Sequence, residues 1–113
     1  MARWFECAYL GGPVELTDER ESHVLEYHPG LLASGYDLII TVLSDPDLIR
    51  EDPDAPVATL LFSRWYDVPT HRRGGRHAVV AVVIGTEPGW RHWIVTAYVA
   101  RRVPERDVIW RRS

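Results

Sequence analysis

Five side chains spread along the chain have the types that acid–base chemistry on a phosphodiester needs: His23, His28, Arg64, Thr96 and Tyr98. Histidine suits both the base that deprotonates a 2′-hydroxyl and the acid that protonates a departing 5′-oxygen, because its unperturbed pKa of about 6.5 lies near working pH. The planar fork of an arginine binds two phosphate oxygens at once, and threonine or tyrosine hydroxyls can orient another. Each residue also has a plain structural explanation. A histidine at a helix end is commonly a satisfied surface residue, and an arginine near a strand end is commonly solvated. The set is consistent with metal-free RNA cleavage without singling it out.

Other chemistries find less support. The chain has no lysine and all 13 basic residues are arginine, so Schiff-base chemistry and a phosphate-loop lysine are ruled out. His23 and His28 are five apart, which does not align them on a helix as i, i+4 would, and Cys7 has no second cysteine to form a CxxC pair. Asp52 and Asp54 lack the spacing of a calcium loop and read as a proline-rich acidic turn. Gly74-Gly75 is a loop signal only, and no serine sits in a nucleophile elbow. Neither a metal nor another cofactor is expected.

The elements that must position these residues can be read in turn. Arg3–Leu10 is an apolar run fit for an edge strand, broken by Gly11-Gly12-Pro13. Thr17 followed by Asp18 and Glu19 marks a helix start, and Pro29-Gly30 stops that helix, so it runs from about Asp18 to Tyr27. His23 lies within it and His28 at its end. A second helix is expected from about Leu31 or Tyr36 to Leu43, its stripe formed by Leu38, Ile39, Val42 and Leu43, and Asp45-Pro46-Asp47 ends it.

Strands follow. Leu48–Glu51 is a short candidate, Val57–Tyr66 carries Arg64 near its end, and Ala78–Ile84 is apolar at every position, as in a central strand covered on both sides. Residues 91–102 form the longest strand, with Thr96 and Tyr98 on it. Strict alternation puts Trp93, Val95, Ala97 and Val99 on an apolar face, and His92, Ile94, Thr96 and Tyr98 on a more polar one. Val108–Trp110 adds a final short strand. The expected fold is α+β: a single domain over residues 1–113, with two N-terminal helices packed on one face of a mostly antiparallel sheet of about four strands.

Composition fits an ordered globule, with 46% hydrophobic and 26% charged residues. There is no apolar run long enough to span a bilayer and no signal-peptide pattern, and a lone cysteine favours a reducing compartment, so a cytoplasmic protein is expected. The net charge of −3 hides a split. Residues 1–63 hold three arginines against twelve acids, a net of −9, and residues 64–113 hold ten arginines against four acids, a net of +6. Two readings fit: an anionic partner for the second half, or attraction between the halves within the fold or a dimer.

Taken in order, His23-Val24-Leu25-Glu26-Tyr27-His28-Pro29, Tyr36-Asp37-Leu38-Ile39, Asp45-Pro46-Asp47, Leu60-Leu61-Phe62-Ser63-Arg64 and Ile94-Val95-Thr96-Ala97-Tyr98 resemble a phage-associated branch of the barnase–EndoU–colicin–RelE-like (BECR) nuclease superfamily. The likeness covers roughly residues 14–110 and rests on short, degenerate motifs. It implies a small metal-independent endoribonuclease, toxin-like or carried by mobile elements, with RNA as substrate and an antitoxin or immunity protein as a possible partner. On that pattern His23 or His28 would be base or acid, Arg64 would bind phosphate, and Thr96 and Tyr98 would orient it. Arg72, Arg73, Arg76, Arg101 and Arg102 would attract the RNA backbone. Tyr27 stands where many members carry arginine, which removes a phosphate contact. The competing expectation is a non-catalytic protein-binding or regulatory module that keeps a nuclease-like fold. Cleavage restricted to translating ribosomes is a third.

Overall fold

The computed structural model describes residues 2–32, 35–67, 74–85 and 91–113. In chain order these form β1 (Arg3–Cys7), β2 (Gly12–Leu16), α1 (Asp18–Tyr27), a 3-10 turn (Pro29–Leu32), α2 (Asp37–Ser44), β3 (Leu48–Glu51), β4 (Thr59–Tyr66), β5 (Arg76–Val83), β6 (His92–Ala100) and β7 (Val108–Arg111). The strands make one seven-stranded sheet in the order β1-β2-β6-β5-β4-β3-β7.

This corrects the expected sheet of about four strands. Two strands precede the helices, because Gly11-Gly12-Pro13 is a hairpin turn and not merely a break: Gly11 takes the left-handed φ of 71° that the turn requires, and β2 runs back along β1. Pro13 is tolerated near the start of β2, where a missing N–H costs least. The sheet is also mixed, since β2 pairs parallel to β6 through Val14↔His92 and Glu15↔Trp93. A parallel pair is joined by a long crossover, and no local pattern announces it.

Helix α1 begins where its cap predicts: the Thr17 side chain accepts from the Arg20 N–H at 3.2 Å. Both helices lie on one side of the sheet, here the first face, and bury Val24, Ile39, Val42 and Leu43 against Val14, Leu16, Phe62, Val80, Val82, Ile94 and Ala97. A polar knot holds them to the β1 end. The Tyr36 hydroxyl donates to Glu21 at 2.6 Å, Arg3 Nε donates to the same carboxylate at 3.1 Å, and the Arg3 guanidinium lies 4.3 Å above the Tyr36 ring. β5 is central and buried from Ala78 to Val82.

Alternation along β6 fails at one residue. The ladder with β5 passes from Val82↔Ile94 to Ala81↔Thr96, leaving Val95 unpaired as a bulge. Ile94 and Ala97 therefore enter the helix-side core, whereas Trp93, Val95, Thr96 and Tyr98 line a cavity on the other side, the second face. The expected division of this strand into Trp93-Val95-Ala97-Val99 and His92-Ile94-Thr96-Tyr98 is corrected accordingly.

The link from β6 to β7, residues 101–107, starts beside the β5–β6 pair His77↔Ala100 and arrives where Arg50 pairs with Val108. Four strand spacings separate β6 from β7, roughly 19 Å, and the eight peptide links between Ala100 and Val108 reach at most roughly 28 Å. The link therefore has little slack. It ends at Asp107, whose φ of 60° turns the chain into β7. Among the described residues no helix is long and apolar enough to cross a membrane.

Candidate functional site

The second face is built from two registers of side chains. One row is Arg50, Leu61, Ala81 and Thr96; the next is Leu48, Ser63, Val79 and Tyr98. Above the first row, the turn from Asp52 to Val57 overhangs the sheet and closes a cavity of about 370 Å³, lined among others by Val57, Leu61, Val83, Trp93, Thr96 and Tyr98. Its lining is mainly apolar, with Thr96 and Tyr98 on the β6 side and Thr59 on β4.

His28 reaches the Tyr98 ring from beyond the β6 edge. β6 has a strand partner on the β2 side only as far as Trp93, and α1 takes over beyond it: Arg20 Nη1 lies 3.5 Å from the Val95 carbonyl. His28 is the C-cap of α1, with its N–H on the Val24 carbonyl at 2.8 Å and its own carbonyl accepting from Leu31 at 3.1 Å. Backbone bonds on both sides thus fix its position. The imidazole lies 5.9 Å from the Tyr98 ring, centroid to centroid, at an interplanar angle of 44°.

The Tyr98 hydroxyl is held protonated well past neutral pH. Burial pushes its pKa above the ordinary phenol value, with Asp52 adding to the shift and Arg50 opposing it. It is therefore a hydrogen-bond donor and not a base. Thr96 Oγ1 is buried and, among the described residues, has no hydrogen-bond partner. The same is true of Ser63 Oγ and Arg50 Nε on the same face. Native proteins satisfy most buried polar atoms, so three orphans on one sheet face are unusual.

The expected site residues thus divide. Thr96 and Tyr98 line the cavity, and His28 meets the Tyr98 ring. His23 does not join them: its ring packs on Tyr27, one helical turn on, at 4.9 Å. Arg64 does not either. It shares the first face with Phe62, and its guanidinium donates to the Asp45 carbonyl at 2.7 Å and to the Asp45 carboxylate at 2.6 Å. There it secures the end of α2, together with Arg112, which donates to the Asp45 carbonyl at 2.9 Å and pairs with Asp47 at 2.8 Å.

Of the arginines expected to draw in RNA, Arg101 and Arg102 are exposed and have no acidic partner among the described residues. Arg76 is half-buried and donates to the Gly75 carbonyl at 2.9 Å. Arg72 and Arg73 lie outside the described residues. The charge split partly resolves inside the fold, since Arg64, Arg91 and Arg112 of the basic half pair with Asp45, Glu15 and Asp47 of the acidic half.

Sequence reasoning missed Arg50, Ser63 and Trp93. Arg50 carried a signal: it is a charged residue inside a Leu48-Ile49-Arg50 run too apolar for a solvated strand. Trp93 was assigned to the wrong side because no local feature marks the bulge at Val95. Among the described residues no group of three or more His, Cys, Asp or Glu side chains converges as metal ligands would. No protein-family model, curated protein or solved structure matches this chain.

Proposed function

We propose that this protein is a metal-independent endoribonuclease whose site is formed by His28, Thr96 and Tyr98. The observation that carries the reading is the His28 ring against Tyr98 beside a buried, unpartnered Thr96 hydroxyl. His28 takes the 2′-hydroxyl proton as the 2′-oxygen attacks phosphorus. The P–O5′ bond breaks as the protonated Tyr98 hydroxyl passes its proton to the leaving oxygen, and a 2′,3′-cyclic phosphate results. Solvent then returns the proton from His28 to Tyr98. Thr96 Oγ1 donates to a non-bridging oxygen, which satisfies the orphaned hydroxyl. The exposed Arg101 and Arg102 draw the RNA backbone toward that face.

The test is incubation of purified protein with labelled total RNA and a defined tRNA pool in EDTA, beside a His28→Ala control. Cleavage by the wild type that disappears in the control supports the assignment. Equal cleavage by both removes His28 from it.

A second reading has its own observation. His23 and Arg64, two of the five expected catalytic residues, are turned to Tyr27 and Asp45, which favours a binding module without catalysis. Such a module would leave RNA intact both in EDTA and in a translating extract. Its RNA affinity would lack the steep salt dependence that phosphate contacts produce.

A further inference from the structure

The walls beneath the turn from Asp52 to Val57 face one common space of about 370 Å³. Leu61, Ala81 and Val83 form its floor on the sheet, Pro56 and Val57 its roof, and Trp93 one side. That volume lies near the low end of the roughly 300–1,000 Å³ typical of small-molecule sites, which suits one ring system and not a chain of them. Val57, on the roof, is 53% exposed, so the roof offers apolar surface that a bound ring would cover. Polar groups are few. Thr59 Oγ1 is spent on the Val57 carbonyl at 2.9 Å, and the Thr96 and Tyr98 hydroxyls are those that cleavage employs. That leaves Asp52, the only charged residue in the lining. One of its carboxylate oxygens accepts from the Asp54 N–H at 3.1 Å, and no described arginine pairs with it. Tyr98 feels the charges of Arg50 and Asp52 with opposite sign. A cation entering here would meet Arg50 and an anion would meet Asp52, so an uncharged ligand is favoured.

We infer that this cavity binds a single nucleobase ring that carries an amino group, with the amino N–H donating to the Asp52 carboxylate and the ring against Trp93. An uncharged aromatic ring suits the apolar floor and roof, and aromatic side chains stack on any base. Asp52 then supplies the choice among bases. Cytosine, adenine and guanine each carry an exocyclic amino donor, whereas uracil has a carbonyl where cytosine has its amino group. That oxygen would face a carboxylate, and two acceptors cannot bond each other. The cavity therefore prefers cytosine to uracil although the rings are the same size. A purely apolar molecule would shield Asp52 from water and leave it without a partner. Calling the ring a base of RNA rests on the cleavage reading, in which His28 meets Tyr98, a residue of the cavity wall. The preference for an amino-bearing ring follows from the lining alone.

The test is an NMR titration of the wild-type protein with cytidine and with uridine, neither of which carries a phosphate. Cytidine should shift the Trp93 indole N–H and the Leu61 and Val83 methyl signals in a saturable way, with uridine weaker by roughly 10-fold. This measurement does not depend on any variant folding. Ala81→Leu, which fills the floor of the cavity, should lose the cytidine response, and Asp52→Ala should make the two nucleosides bind alike. Cavity signals unmoved by both nucleosides, equal wild-type responses to the two, or an undiminished response in Ala81→Leu overturns the site. So does an equal response to ribose 5-phosphate, which has no base. If cytidine binds as described but RNA is never cut, the cavity assignment is supported and the nuclease reading fails. If Ala81→Leu cuts RNA with unchanged KM, the cavity is overturned as an RNA subsite while the nuclease reading stands. A far tighter response to a short oligoribonucleotide than to cytidine identifies a base within a chain as the ligand, and equal responses identify a free nucleoside; both support the cavity.

Discussion

The imidazole of His28, at the C-terminal cap of α1, meets the ring of Tyr98, on the second face of β6, at 5.9 Å. The two residues are seventy positions apart, and the contact exists because β2 stops pairing with β6 at Trp93 and leaves the rest of that edge to the helix end. His28→Asn keeps a polar side chain of similar size but cannot take a proton. It should lower RNA cleavage by roughly 10²–10⁴-fold with little change in Tm. Parallel cleavage and melting curves check this, and a large loss of Tm would mean that the ring is structural.

Arg64 and Asp45 provide the contrasting case. Because the Arg64 guanidinium closes the end of α2 on the first face, Arg64→Ala should cost about 1 kcal/mol of stability, discounted for the exposed Asp45 carboxylate. It should leave cleavage per folded molecule unchanged. Denaturant melts and single-turnover cleavage on the same preparation separate the two effects. A loss of cleavage at full stability would restore Arg64 as a phosphate contact.

Alkaline pH should destabilise the fold. Burial raises the pKa of Cys7, Tyr66 and Tyr98, and the hydrogen bond to Glu21 raises that of Tyr36. Each of these groups keeps its proton longer in the folded chain than in the unfolded one. Their contribution is therefore complete below the unfolded pKa values and is lost as pH rises past about 9 to 10 toward the folded ones. Urea midpoints should be flat through neutrality and fall above that range, with Tyr98→Phe reducing the fall. A midpoint that rises with alkaline pH would contradict the burial of these groups.

Gly75 has no room for a side chain. A Cβ there would approach the Tyr66 carbonyl and lie 2.6 Å from the Trp65 ring, so Gly75→Ala must displace the β4 end that Trp65 and Tyr66 form. The expected cost is about 1–3 kcal/mol, read as a lowered Tm. Gly74→Ala next to it meets no atom of the described residues, but it must hold a φ of 80°, which adds conformational strain.

Much of this fold was legible because the deciding forces are local. The Thr17 cap and the Pro29 stop set α1 at Asp18–Tyr27, and the unbroken apolar run at Ala78–Ile84 announces a strand covered on both faces. What stayed hidden depends on distant partners. β2 is only five residues long and earns its place in the sheet through β1 and a parallel contact with β6. The bulge at Val95 arises from the β5 register, and Arg50 pairs with Val108 on a strand from the other half of the sequence. His28, Thr96 and Tyr98 could be selected by residue type, whereas the turning away of Arg64 became visible only with α2 in place.

The sheet order interleaves the halves of the chain: β6, from the basic half, lies between β2, from the acidic half, and β5. Neither half can complete a sheet of its own, so folding requires long-range closure, which is ordinarily slow. The opposite net charges of residues 1–63 and 64–113 are expected to draw the unfolded halves together before any strand has paired, and so to speed chain collapse. Added salt should slow refolding, measured by stopped-flow fluorescence of the tryptophans, and should change the unfolding rate much less.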